Sequence, residues 1–264
     1  MEYKGIFVVA FVWFSLVSSL AERERFVFKH DDAETKAEFL GHKRAGDGED
    51  LHSSSFNLSG IFRSAVYTTI SGEYYGSRAK INLWDLPDVD NHQISATVIR
   101  LSNFDGDNEN TIQAGFHVFP GLYNDSKLHF YTIWSDHKSG NWSVYREDLD
   151  EPQLIGYWPK SLFTVLAEKA IIVSWGGVVK YFQNGTGPPM GSGHYSSELQ
   201  GKAAFVKNIE IFDSNGGSID LANIAMPEVN RNDCYNVTAL VDSRKYGLND
   251  GYLFYFGGPG GCLN

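Results

Sequence analysis

Cysteine is scarce, with Cys234 and Cys262 the only two in 264 residues. A zinc site would need further Cys or His residues at short spacing, which the sequence does not supply. We therefore predict no metal centre, keeping a two-cysteine metal site only as the alternative. In an oxidising compartment an isolated pair is expected to form a disulfide.

Positive charge is also scarce. Lysine and arginine total 22 against 32 aspartates and glutamates, which gives a formal net charge of -10. An acidic surface repels phosphate backbones, and no basic cluster interrupts it. Nucleic acid is therefore excluded as a partner.

The common catalytic motifs are absent: there is no GxSxG elbow, no HExxH pair and no glycine-rich phosphate loop. We predict no cofactor. The segment "FDGDNEN" begins like a calcium loop with Asp105, Asp107 and Glu109. Asn110 stands where the turn glycine belongs, and Phe116 stands where the bidentate glutamate belongs. We interpret it as a solvated hairpin tip, with calcium as the alternative.

The long apolar run of the sequence covers residues 6–20 and follows Lys4. Small residues, Ser19 and Ala21, stand at its end and directly after it. The run is short for a bilayer span and has the layout of a secretion signal. We predict a cleaved signal peptide over residues 1–21 rather than an uncleaved anchor. The mature protein is then extracellular, in the apoplast or cell wall, with the vacuole as an alternative, and has no membrane attachment.

Sequons for N-glycosylation agree with this secretory route. The five acceptors are Asn57, Asn124, Asn141, Asn184 and Asn236.

The amino-acid composition of the chain changes near residue 61. Residues 22–60 are rich in charged and small side chains, and we predict that they form a disordered leader or a reduced propeptide. From 61 to 264, short β-branched and aromatic segments alternate with Gly, Asn, Asp and Pro, which favours an antiparallel all-β sandwich or barrel. Residues 159–170 have helical spacing and predict one short helix.

The stretch "TIQAGFHVF", residues 111–119, illustrates the strand pattern. Side chains alternate with period two, so Ile112 and Ala114 share a core face. Gln113 and His117 then share the opposite face. The second face is either a working surface or only a solvated one.

Several motifs in order resemble the carboxy-terminal domain of the plant neprosins, over about residues 65–264. They are "ISGEYYGSRAKINLW", "QAGFHVFPGLYND", "YTIW", "GNWSVY", "IGYWPKSLF", "SWGGVV", "MGSGHYSSELQGKAAFVKNI", "CYNV" and "YFGGPGGC". The resemblance implies a secreted sandwich of two antiparallel sheets. Founding members of the family are glutamic peptidases that cut next to proline, using two glutamates as acid and base.

Both family glutamate positions are substituted in this chain, one by Gln113 and the other by Val178. Glutamine can hydrogen-bond but exchanges no proton at physiological pH, and valine does neither. Positioned acid-base catalysis is typically worth about 100- to 10,000-fold per group, so we predict lost peptidase activity. The alternative is an active prolyl endopeptidase that uses Gln113 with a relocated carboxylate, for which the candidates are Glu168, Glu198 and Glu210.

The resemblance also indicates a peptide-binding cleft. Trp175 and Tyr195 are candidate stacking surfaces for a proline ring, and His194 a candidate partner for substrate carbonyls. For His194 the alternative is a clamp within a glycine-rich turn. The predicted partners are proline-rich peptides or cell-wall proteins. A purely structural or storage role, or none, stays open, as does the oligomeric state.

Overall fold

A computed structural model describes residues 2–3, 26–30, 60–106, 108–135, 142–146, 153–158, 163 and 165–263. Most of the predicted signal peptide and leader lies outside these residues, as do Asn57, Asn141 and residues 159–162 of the predicted helix. The domain boundaries therefore stay predictions. One strand, Phe26–His30, lies inside the predicted leader and pairs with a later strand.

The described chain is built mainly of strands. In chain order they are β1 (Glu2–Tyr3), β2 (Phe26–His30), β3 (Gly60–Thr69), β4 (Gly76–Ile81), β5 (Leu83–Trp84), β6 (Ile94–Asp105), β7 (Asn108–Val118), β8 (Leu128–Ser135), β9 (Trp142–Arg146), β10 (Gln153–Trp158), β11 (Ile172–Phe182), β12 (Ala204–Phe212), β13 (Ala225–Val229), β14 (Asn236–Val237), β15 (Val241–Asp242) and β16 (Tyr252–Gly257).

Two larger antiparallel sheets organise the fold. The six-stranded sheet has the order β13-β3-β11-β6-β7-β8, and the five-stranded sheet has the order β14-β16-β12-β4 with β15 also paired to β16. Strands β10, β9 and β2 form a three-stranded sheet, and β1 pairs with β5. The predicted class, an all-β fold with two antiparallel sheets, is confirmed.

The core lies between the two larger sheets, because alternate residues of each sheet point towards the other. From β11 it receives Val173, Trp175 and Val179, and from β16 it receives Phe254 and Phe256. Gly177 marks the closeness of the contact, since an added Cβ there would lie 2.5 Å from the Met190 sulfur and 2.8 Å from the Phe256 ring. The alternation that fills this core leaves the other residues of each strand on an outer face.

Helical structure is sparse in the described residues. The predicted helix over 159–170 is represented there by one 3₁₀ turn, Val165–Ala167, followed by a turn at Glu168. A one-turn α-helix, α1 (Pro120–Tyr123), lies instead in the connection between β7 and β8. Two further 3₁₀ turns span Ser196–Glu198 and Ser243–Tyr246. Among the described residues we find no helix with the length and apolar character of a membrane span.

The predicted disulfide between Cys234 and Cys262 is present, with Cα atoms 6.0 Å apart. It joins the segment before β14 to the segment after β16. The Cys234 side chain is buried, and both residues border the main core. The bond therefore closes the carboxy-terminal part of the five-stranded sheet.

Candidate functional site

The outer face of the six-stranded sheet carries Gln113 and Val178, the two positions that the resemblance assigns to the family glutamates. On β7, Ile112 and Ala114 belong to the core as predicted, so Gln113 lies on the outer face. On β11, Trp175 and Val179 belong to the core, so Val178 also faces outwards. The neprosin-like positions thus share one surface.

The two positions are offset along the sheet. Gln113 pairs with Arg100 on β6, which pairs with Ser174 on β11. Val178 lies four residues beyond Ser174, roughly 13 Å further along the strand at the usual rise. We take the surface between Gln113 and Val178 as the central part of the candidate site.

Tyr131 of β8 occupies this space. Its backbone pairs with Gly115, and its hydroxyl accepts a hydrogen bond from Gln113 Nε2. Its ring packs on the small apolar cluster of Val66, Ala96, Val98 and Val178. Tyr131 thus links the amide at one family position with the hydrocarbon at the other.

An aromatic stack continues from Tyr131 to His117 on β7 and to the connection between β7 and β8. The Tyr131 and His117 rings are parallel, with centroids 4.1 Å apart. His117 Nε2 hydrogen-bonds to the Tyr123 hydroxyl at 3.0 Å, and the Tyr123 ring stacks on His129 at 3.8 Å. His129 Nε2 contacts Asp125 Oδ1 at 2.7 Å. We call His117, Tyr131, Tyr123 and His129 the aromatic stack.

Burial keeps the inner part of this stack uncharged. It lowers the pKa of His117 to about 3, with a smaller contribution from the charge of His129. It also raises the pKa values of Tyr131 and Tyr123. Because an imidazole with so low a pKa and a phenol with a raised pKa are both neutral between pH 4 and 8, neither exchanges a proton beside Gln113 in that range.

The carboxylate on the Gln113 face of β7 is Glu109, which the sequence analysis considered only as a calcium ligand. It forms an ion pair with Arg100, and Ser102 Oγ donates to it at 2.9 Å. Four residues along the strand separate Glu109 from Gln113, roughly 13 Å between Cα atoms. Glu109 is thus held by the Arg100 ion pair, and the side-chain hydrogen bond of Gln113 goes to Tyr131 instead.

None of the three relocated-acid candidates converges on Gln113. Glu168 is exposed in the turn after the 3₁₀ helix, and Glu198 accepts contacts from His194 and Lys202 beside the other sheet. Glu210 forms an ion pair with Arg78 on the outer face of the five-stranded sheet. Among the residues that the structure describes, the side-chain partner of Gln113 is Tyr131, and no carboxylate hydrogen-bonds to it.

The predicted binding residues do not assemble at this site. Trp175 is wholly buried in the core, and its indole Nε1 donates to Ser77 Oγ at 2.9 Å. Its prediction as a stacking surface is wrong, because residues 175 and 178 are separated by three positions and so point to opposite faces of β11.

His194 and Tyr195 lie together on the other side of the molecule. The exposed His194 contacts both carboxylate oxygens of Glu198 at 3.1 Å, and the Tyr195 hydroxyl donates to the backbone oxygen of Asp233 at 3.0 Å. Glu198 also accepts from the Tyr195 backbone N–H. These contacts match the turn clamp given as the alternative for His194.

A polar row runs across the outer face beside the apolar cluster. It consists of Gln113, Arg100, Ser174 and Thr68, which pair in register across β7, β6, β11 and β3. All four are partly exposed, and the hydroxyls of Thr68 and Ser174 are 3.1 Å apart. This row therefore offers donors and acceptors to solvent beside Gln113.

Among the described residues, no set of metal ligands is assembled on this face. Asp233, Cys234 and Cys262 come close together, but both cysteines are committed to the disulfide. At the β6–β7 hairpin, Asp107 and the Asp105 side chain lie outside the described residues, and Glu109 is bound to Arg100. A calcium loop therefore gains no support from Glu109.

The described glycosylation acceptors differ in exposure. Asn124 and Asn184 are exposed, Asn124 at the end of α1. Asn236 is partly buried, and its Oδ1 accepts from the backbone N–H of Ser196 at 2.8 Å. Glycosylation of all five sequons stays a prediction.

Comparison with solved structures finds glutamic peptidases of low similarity. SCP-B, a member of the eqolisin family in complex with the tripeptide Ala-Ile-His, is 11% identical, with a TM-score of 0.41 over 75% of this chain and 97% of that chain. Scytalido-glutamic peptidase with a peptide-based transition state analog is 9% identical, with a TM-score of 0.42 over 75% and 98%. At these values neither structure enters the argument about the site.

Comparison with family models is decisive. The Neprosin family model matches residues 91–139 and 131–259, which include β7 with Gln113 and β11 with Val178. The match extends over more than half of the chain and over most strands of both larger sheets. The chain belongs to the Neprosin family.

Proposed function

We propose that this protein is a secreted Neprosin-family protein that binds proline-containing peptides on the outer face of the six-stranded sheet without hydrolysing them. The observation that supports the proposal is Tyr131, which joins Gln113 to the Val178 cluster where the resemblance expects two acidic groups. Amide hydrolysis by this chemistry needs one ionised and one protonated carboxyl group. Gln113 and Val178 supply neither.

The polar row provides the binding chemistry. An extended peptide presents N–H and C=O groups at regular spacing, and Gln113, Ser174 and Thr68 each offer both donors and acceptors. Arg100, whose charge is paired with Glu109, adds a guanidinium group to the row. A proline ring needs no hydrogen-bond partner for its nitrogen, so it can pack against the exposed part of the Tyr131 ring.

The experiment is calorimetric titration of the mature protein with an extended proline-containing peptide and with the same peptide carrying alanine in place of proline. We expect the proline peptide to bind more tightly. Ser174→Ala should weaken its binding about fivefold, because one hydrogen bond is worth about 1 kcal/mol. Ser214→Ala, at an exposed turn outside this face, is the matched control.

Binding that is equal for the two peptides would remove the proline preference. Peptide binding that is unchanged in Ser174→Ala would show that the peptide does not bind at the polar row. Either result contradicts the proposal.

A further inference from the structure

A groove lies on the outer face of the five-stranded sheet, away from Gln113. Its volume is about 610 Å³, within the range of small-molecule sites. Its walls come from β4, β12, β16, the 3₁₀ turn after β15 and the loop before Leu221. The charged and polar lining residues are Arg78, Lys80, Asn208, Glu210, Ser218, Asp220, Asp242, Arg244, Lys245 and Tyr252.

The carboxylates of this groove are each engaged by a neighbour. Glu210 pairs with Arg78, and Asp242 accepts from Arg244 Nε at 2.7 Å. Asp220 accepts from the Tyr252 hydroxyl and from the Ala222 backbone N–H. The hydrogen bond from Tyr252 lowers the pKa of Asp220, and the one from Arg244 lowers the pKa of Asp242. Both aspartates are therefore ionised acceptors at neutral pH, held in fixed positions.

The groove is locally positive on an acidic protein. Four cationic side chains, Arg78, Lys80, Arg244 and Lys245, face three carboxylates, while the whole chain carries -10. Lys245 is exposed at the rim. Because charge in a concave site focuses the local potential, the groove attracts an anionic group that the rest of the surface repels.

The same lining suits hydroxyl groups. A sugar hydroxyl both donates and accepts, so it can use a carboxylate oxygen and an Arg or Lys N–H at the same time. Here Asp220, Arg244 and Lys245 are all exposed, so a carboxylate acceptor and cationic donors are available to one ligand.

We propose that this groove binds an acidic saccharide, a ligand with ring hydroxyls and a carboxylate group. The ligand carboxylate pairs with Lys245, and the hydroxyls use Asp220 and Asn208. This site is separate from the peptide-binding face, and its occupation does not depend on the proposed peptide binding.

The test is calorimetric titration of the mature protein with trigalacturonate, with its methyl-esterified and therefore neutral form, and with tri-glutamate. We expect trigalacturonate to bind more tightly than either comparison ligand. Lys245→Glu should weaken trigalacturonate binding about tenfold, since it reverses one exposed charge at the rim. Lys202→Glu makes the same charge change at an exposed lysine outside the groove and should leave binding unaltered.

Three results would overturn the proposal. The first is that trigalacturonate does not bind. The second is that tri-glutamate binds equally well, which would indicate attraction by charge alone. The third is that Lys245→Glu and Lys202→Glu weaken trigalacturonate binding equally. A melting curve of each variant verifies folding. Because Lys245 is exposed, we expect its substitution to leave the melting temperature unaltered.

Discussion

At the scale of single residues, Tyr131 determines the character of the candidate site. Its hydroxyl holds Gln113, and its ring covers the apolar cluster that contains Val178. Gly115, opposite Tyr131, has no room for a side chain, since an added Cβ would lie 2.1 Å from the Thr97 backbone oxygen. An amide, a phenol and a valine therefore stand where the resemblance expects paired carboxyl groups.

The hydroxyl and the ring of Tyr131 make separable contributions to stability. Tyr131→Phe keeps the ring packing and removes the hydrogen bond to Gln113, so we expect a loss of about 1 kcal/mol in the free energy of unfolding. Urea titration measures it. Tyr246→Phe, on a side chain 74% exposed, is the control. Equal effects of the two substitutions would show that the Gln113 contact contributes nothing.

His117 predicts the direction of the pH dependence. Its pKa is about 3 in the folded protein, against about 6.5 when unfolded, so between these values the unfolded chain binds more protons. Stability should therefore fall on acidification from pH 6.5. The contribution of His117 is at most about 1.4 kcal/mol per pH unit.

Urea titrations at pH 4.5, 5.5 and 6.5 measure this slope, in a range above the titration of most aspartates. His117→Gln should flatten it, and His194→Gln, at an exposed histidine, should not. A slope that survives His117→Gln unaltered would contradict the burial argument.

At the scale of elements, period-two alternation explains what the sequence could predict. It separates Ile112 and Ala114 from Gln113 on β7, and the structure confirms that division. The same rule, applied to Trp175 and Val178, assigns them to opposite faces. The error over Trp175 came from treating "SWGGVV" as a motif and not as a strand.

Two features of the site could not be predicted from alternation. Residues 64–67 of β3 are buried on both faces, so this central strand shows no periodicity. The connection between β7 and β8 contains α1. It is longer than a tight turn, so its length does not determine which residues of β7 and β8 pair. Without that register, the position of Tyr131 opposite Gly115 could not be predicted.

The disulfide acts on the carboxy-terminal elements. Cys234 and Cys262 are 28 residues apart, and closing a loop of this length contributes about 3.5 kcal/mol in the chain-entropy model. The double substitution Cys234→Ser and Cys262→Ser should lower the free energy of unfolding by about that amount, measured in urea. A midpoint that is the same for the double variant and the parent protein would show that the bond stabilises nothing.

At the scale of the whole molecule, the two larger sheets present chemically different outer faces. The six-stranded sheet carries a polar row beside a covered apolar cluster, with the aromatic stack at its edge. The five-stranded sheet carries a charged groove. A single core between the sheets supports both faces, so substitutions on one face need not disturb the other.

The central claim is that the Gln113 face binds peptides but performs no proton transfer. Its most direct test is incubation of the mature protein with a proline-containing peptide from pH 3 to 6, with products identified by mass spectrometry. We predict no cleavage above the rate in buffer. Cleavage next to proline that disappears in Gln113→Ala and persists in Lys202→Glu would contradict the claim.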